Sequence, residues 1–121
     1  MEGVVEPSSK IYVKEASPEK GRGVFAKVPI KKGESIELCP VIPERSWEAL
    51  EKTALKDYYF CFGEEDVCII LGFGSLYNYS ADPNAEVVRH IDKLIYEYVA
   101  TRDIEKDEEI CFKYKCGEFW K

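Results

Sequence analysis

Apolar and polar residues alternate with a period near two along much of this chain, the spacing of strands with one covered face. Residues 11–15, 24–26, 35–42, 58–62, 67–71, 86–89, 94–102 and 109–114 read as strands. Pro40 inside the third suggests an edge position or a bulge. Turn formers punctuate the pattern at 17–23, at the bend 29–34, at the hairpin turn 63–66 and near Asp92-Lys93. The spacing predicts one helix, over 43–56, where Trp47, Leu50, Ala54 and Leu55 recur at helical intervals before Asp57 closes it. Many short strands and one small helix predict a mostly β domain. Residues 1–9 are polar, with Pro7 and two serines, and predict a flexible arm ahead of a single domain at 10–121.

One stretch departs from the alternation. After the apolar run 67–71, residues 72–85 pack two glycines, two tyrosines, two asparagines, two serines and a proline into one connection. It is too apolar for a solvated loop and too rich in turn formers for a helix. Backbone groups that enter a core outside a ladder need other partners, and the short amides of Asn78 and Asn84 can satisfy them or a ligand. Residues 26–36 and 100–110 share the pattern Ala-x-x-x-Ile-x-Lys-x-Glu-x-Ile. Two strand–turn–strand copies predict a pseudo-symmetric sheet, since a solenoid needs more repeats.

The totals narrow the class. With 121 residues and 45% hydrophobic content, the chain is long enough to bury a core without staples. No apolar run approaches the ~20 residues of a membrane span, and no signal-peptide core opens the sequence; an intracellular protein is expected, cytoplasmic or, in a eukaryote, nuclear. A net charge of −6 speaks against direct nucleic-acid binding and suits a basic partner. Five cysteines lack the Cys-x-x-Cys spacing of a zinc site. Cys39, Cys61, Cys68 and Cys111 lie in apolar runs and read as buried thiols in a reducing compartment. Cys116 has a more polar setting, and His90, the single histidine, reads as a surface residue.

Three pieces carry a resemblance. Gly21-Arg-Gly-Val-Phe-Ala26, then Tyr77-Asn-Tyr-Ser-Ala-Asp-Pro-Asn-Ala85, then Asp107-Glu-Glu-Ile-Cys-Phe-Lys-Tyr114 stand in the order and spacing of SET-domain protein lysine methyltransferases. The chain resembles that family from Ile11 to Trp120. A Gly-x-Gly alone is weak; Asn-x-Ser-x-x-Pro-Asn followed about thirty residues later by Glu-Ile-x-Phe-x-Tyr is specific. The resemblance implies a β-clip fold of short twisted sheets whose last segment threads beneath the Asn78 corner. It implies S-adenosylmethionine as methyl donor, no metal, and a lysine of a basic, histone-like protein as acceptor, reached through a channel from the opposite side.

On that resemblance Gly21 and Gly23 let backbone approach the donor, Asn78 bonds its methionine part, and Tyr79 offers main-chain groups to the adenine. Arg22 lies along the donor or in solvent, and Asn84 fixes the threaded loop. Trp120 or Phe119 stacks on the adenine, or only caps the core. Tyr114 is the catalytic residue, orienting the lysine nitrogen for in-line displacement. Cys39, Tyr77, Val87 and Phe112 line the lysine channel; Cys39 and Val87 are small where the family is often aromatic, which predicts transfer of more than one methyl. Two departures count against a simple carry-over. Tyr79 stands where the family usually has histidine, and the family's zinc-binding flanks are absent, so the tail after Tyr114 or a second subunit of a homodimer has to complete the site. The alternatives are a catalytically silent β-clip module that binds a protein partner, and a methyltransferase for a small amine.

Overall fold

The computed structural model describes residues 5–63 and 66–113. Its elements run β1 (Ile11–Ser17), β2 (Gly21–Ala26), β3 (Ser35–Glu44), α1 (Trp47–Glu51), a 3-10 turn (Ala54–Asp57), β4 (Tyr59–Phe62), β5 (Asp66–Ile70), β6 (Asn78–Tyr79), β7 (Ala85–His90), a 3-10 turn (Ile91–Lys93), β8 (Ile95–Ala100) and β9 (Glu109–Phe112). The strands join in the order β1-β2-β9-β7-β8-β3-β5-β4, with the two-residue β6 added parallel to β9. The mostly β architecture is the one the alternation predicts. Tyr114, placed by the sequence at the end of the last strand, lies outside the described residues, as does the 114–121 tail.

The predicted helix over 43–56 is corrected to five residues, Trp47–Glu51, none of them buried. Pro43 and Glu44 instead extend β3, opposite Cys68 and Val67 of β5. Downstream, the Thr53 hydroxyl accepts the Leu55 N–H at 3.0 Å and starts a separate 3-10 turn, which interrupts the α-helical ladder. Trp47 and Leu55 are each 41% exposed, so their helical spacing does not build a core stripe.

Pro40 marks a handover, while the bulge lies elsewhere. Residues Ser35 to Pro40 of β3 pair with β8, and Val41 to Glu44 pair with β5. Proline has no N–H to leave unpaired at that junction, and its carbonyl accepts the Leu71 N–H at 2.9 Å. The irregularity in β3 falls between Ser35 and Glu37. It shifts the alternation, so Glu37 turns inward with Cys39 while Leu38 is 36% exposed.

The repeated pattern folds into two interlocked bends. Ile30 and Ile104 exchange both backbone hydrogen bonds, at 2.9 and 2.7 Å. The Gly33 N–H donates to the Ala100 carbonyl and the Asp107 N–H to the Ala26 carbonyl, both at 2.7 Å. Ala26 N–H donates to Glu108 O and Ala100 N–H to Glu34 O, each at 3.0 Å. Gly33 and Asp107 both take positive φ, 87° and 69°. Each bond of one copy is answered by its counterpart in the other, an approximate two-fold axis. The four isoleucines of the pattern, Ile30, Ile36, Ile104 and Ile110, are all buried, so the motif's apolar positions are core positions.

That equivalence is testable. Ile30→Ala and Ile104→Ala should each lower stability by about 3 kcal/mol, the usual range for truncating a buried isoleucine, read from urea unfolding midpoints. A loss under about 1 kcal/mol at either site would remove it from the shared core.

Candidate active site

Three regions of the sequence meet at the start of β2. The hairpin turn before it is tied by Lys20 N–H donating to the Ser17 hydroxyl at 3.0 Å. Asn78 of β6 then reaches across: its amide N–H donates to the Arg22 carbonyl at 3.2 Å and to Glu109 Oε2 at 2.7 Å. Gly23 lies beneath these groups. A methyl there would sit 2.6 Å from Glu109 Oε2 and 2.9 Å from the Asn78 amide nitrogen, so only glycine lets the three approach. Lys20 Nζ holds the other Glu109 oxygen at 3.1 Å, and that carboxylate raises the Lys20 pKa. Gly21 faces open space, with φ at 76°. Tyr79, the next residue of β6, is 57% exposed.

Asn84 secures the corner from inside. It is 3% exposed; its amide donates to Glu109 O at 2.9 Å and Glu108 Oε2 at 3.1 Å, while its oxygen accepts the Cys111 N–H at 2.8 Å. Ser80 N–H and Asn84 N–H add bonds to the carbonyls of Phe112 and Cys111. The 78–84 corner thus closes over β9, and β2 pairs with β9 from its other side.

Three of the four residues assigned to the lysine channel, Tyr77, Phe112 and Val87, meet at the Tyr98 ring. Tyr77 stacks on Tyr98 with centroids 3.8 Å apart and planes 15° apart, and Phe112 meets the same ring edge-on at 5.8 Å. Val87 stands opposite Tyr98 in the β7–β8 register, and the Tyr98 hydroxyl donates to the Gly74 carbonyl at 2.6 Å. Cys39 is fully buried beside Glu37. Glu37 in turn accepts the Tyr77 hydroxyl at 2.8 Å and the Phe73 N–H at 2.9 Å.

These surroundings keep the Tyr77 phenol and the Cys39 thiol protonated at neutral pH. Burial, followed by the neighbouring Glu37 charge, pushes the Tyr77 phenol well above its usual range and raises the Cys39 thiol likewise. Burial lifts Cys68 to about 11. Cys39, Cys68 and Cys111 carry free buried thiols, as their apolar runs suggested; Cys61 departs from that expectation and is disulfide-bonded.

The structure therefore brings Gly21, Arg22, Gly23, Asn78 and Tyr79 to one end of β9, and Cys39, Tyr77, Val87 and Phe112 to one aromatic cluster. Tyr114 and Trp120 lie outside the described residues. Sequence reasoning missed Glu37, Tyr98 and Glu109. Glu109 had a signal, because it opens the Glu-Ile-x-Phe-x-Tyr motif; Glu37 had none, since an alternating strand would face it to solvent.

Asn84→Ala should destabilise the chain by about 3 kcal/mol, because it strands the Cys111 N–H and the Glu109 carbonyl inside the corner. Chemical unfolding reads this directly, and a cost below about 1 kcal/mol would mean that the corner does not depend on the amide.

Comparison with known proteins gives the family. The SET-domain family profile matches residues 21–115. A Schizosaccharomyces pombe histone-lysine N-methyltransferase specific for H3 lysine-37 is 33% identical over 98 residues, covering 78% of this chain and 67% of the relative. The Danio rerio N-lysine methyltransferase KMT5A-A is 31% identical over 111 residues, and the match spans 32% of its length. The crystal structure of a Plasmodium falciparum protein, named as a candidate histone methyltransferase, superposes with a TM-score of 0.73 at 33% identity, covering 97% of this chain and 100% of that one. An inhibitor-bound Polycomb Repressive Complex 2 from Chaetomium thermophilum superposes with a TM-score of 0.71 over 90% of this chain and 15% of that one; at 18% identity it shares the fold. The chain belongs to the SET-domain family.

Proposed function

We propose that this protein is an S-adenosylmethionine-dependent protein-lysine N-methyltransferase. The observation that carries it is the meeting of Gly23, Asn78 and Glu109 in one cradle at the end of β9, next to the aromatic cluster of Tyr77, Tyr98 and Phe112. Relatives that methylate lysine in proteins, one of them in a histone, support a basic protein segment as acceptor, and the net charge of −6 favours encounter with such a segment. An intracellular, histone-accessible setting follows from that acceptor. No helix among the described residues is long and apolar enough to cross a membrane.

The cradle fits the donor's chemistry. The Arg22 carbonyl and the Glu109 carboxylate accept hydrogen bonds where an ammonium or a sulfonium needs negative partners. Lys20 and Arg22 offer positive charge to a carboxylate, and the Asn78 amide oxygen can accept from an ammonium. The exposed Tyr79 ring is available to an adenine, and Trp120 is a further candidate for stacking on it. When bound, S-adenosylmethionine supplies an electrophilic methyl on a sulfonium, whose charge disfavours a protonated lysine beside it. Tyr114 orients the neutral lysine nitrogen for in-line attack. Cys39, Tyr77, Val87 and Phe112 wall the lysine side chain from water, and the neutral Tyr77 phenol takes part as a wall and a hydrogen-bond donor, with no role as a base.

Two measurements test this. Gly23→Ala should weaken S-adenosylmethionine binding by about tenfold or more in titration calorimetry, because its methyl displaces Asn78 and Glu109; unchanged affinity would place the donor elsewhere. Labelled S-adenosylmethionine with a panel of basic proteins and small amines should mark a protein lysine, and Tyr114→Phe should reduce labelling by about a hundredfold or more. Equal labelling by both chains would end the assignment of Tyr114, and no labelling by the native chain would favour a silent interaction module. Product mass should show more than one methyl; monomethyl-lysine alone at saturation would count against the small channel at Cys39 and Val87.

A further inference from the structure

Glu37 is a carboxylate that is 7% exposed and pairs with no cation among the described residues. Burying a charge without a counter-ion is costly, and an apolar side chain of similar size would fill the space with less penalty. Its two oxygens have separate tasks. Oε1 accepts the Tyr77 hydroxyl at 2.8 Å and Oε2 the Phe73 N–H at 2.9 Å. The backbone folds tightly over it: a methyl at Gly72, where φ is 65°, would lie 2.6 Å from Oε2. On its other side the carboxylate lines a cavity of about 250 Å³ together with Leu38, Pro40 and Phe73. Glu37 thus stands between that cavity and Tyr77.

The consequence runs through the ring. A tyrosine hydroxyl has one proton to donate, and Tyr77 gives it to Glu37. The ring is then fixed at its far end by this bond and along its face by Tyr98, whose own hydroxyl is held by the Gly74 carbonyl. Phe73 and Gly74 belong to the same short connection that Glu37 grips. One carboxylate therefore sets both the wall of the acceptor cluster and the connection that positions it, just before Asn78.

We propose that Glu37 is a positioning residue for the acceptor lysine. It fixes the Tyr77 ring and the 72–77 connection through two hydrogen bonds, so that the lysine channel is formed before the acceptor arrives. This rests on the reading of the chain as a lysine methyltransferase. The donor cradle at Gly23 and Asn78 is built from other contacts and does not touch Glu37.

The test compares native protein with Glu37→Gln, Glu37→Ala and Tyr77→Phe. Glutamine keeps an acceptor for the Phe73 N–H, and its amide can donate to the Tyr77 oxygen once that hydroxyl rotates. It should hold kcat for the acceptor protein within about threefold, whereas Glu37→Ala should lower kcat by about tenfold or more. Donor affinity by calorimetry should stay within about twofold in both. Native turnover in Glu37→Ala, an equal loss in Glu37→Gln, or a parallel loss of donor affinity would overturn the proposal. Should Glu37→Ala not fold, Tyr77→Phe carries the comparison: it should lower kcat with donor affinity kept, and native kcat would overturn the proposal. Hydrogen exchange at the Phe73 amide separates this from the broader reading. That amide should be protected in native protein and in Glu37→Gln; rapid native exchange would overturn the role of Glu37 even in an active enzyme. Protection in a chain that binds no donor and labels no lysine would overturn the methyltransferase reading instead.

Discussion

The structure depends on how β9 meets its backbone hydrogen-bonding needs. This four-residue strand enters the middle of the sheet with short partners on both sides. Two ladder pairings with β2, two with β6 and one with β7 still leave the Cys111 N–H and the Glu109 carbonyl to other partners, and a buried unpaired amide or carbonyl is expensive. Asn84 supplies what the ladders lack, accepting from Cys111 and donating to the Glu109 carbonyl. A lysine or a hydrophobe at that position would leave both unmet. Because β9 is held there, Glu109 is held beneath Asn78 and beside Gly23, and the donor cradle exists. Core and site share one constraint.

The paired bends give that constraint a frame. Ile30 and Ile104 bridge directly, and reciprocal bonds from Gly33 and Asp107 tie each bend to the strand that precedes the other. The symmetry breaks after the bends. The strand after the first continues for ten residues as β3 and changes partner at Pro40; the one after the second is β9. One copy became a long bridging strand that presents Glu37 and Cys39 to the aromatic cluster, and the other became the central strand that presents Glu109 to the cradle. The two halves of the proposed chemistry hang from the equivalent strands on either side of an approximate two-fold axis.

How legible this was in the sequence depended on whether a residue's role was local. Asn78 and Asn84 could be singled out because short amides in an apolar corner satisfy backbone groups that lack a ladder, whereas Gly21 and Gly23 gained meaning only beside the other motifs of the family. The repeat was legible because its isoleucines are core and its charged positions turn the chain. Glu37 was hidden by the irregularity between Ser35 and Glu37, which reverses the faces of the strand and cannot be seen in an alternating pattern. Tyr98 looked like any buried strand tyrosine until Tyr77 and Phe112 closed on it. The helix over 43–56 was over-read because its apolar spacing had no core to face, and Thr53 offered the backbone a competing bond.

The late position of β9 in the chain has a bearing on how the protein is made. Until ribosomes deliver residues 109–112, β2 and β7 have the edges they will share with β9 open to solvent, and Asn84 has nothing to grip. Such edges invite pairing with other chains, so the nascent domain passes through a window in which its centre is its most adhesive surface. Shielding by a chaperone would matter most in that interval, and it ends when one short segment slides home.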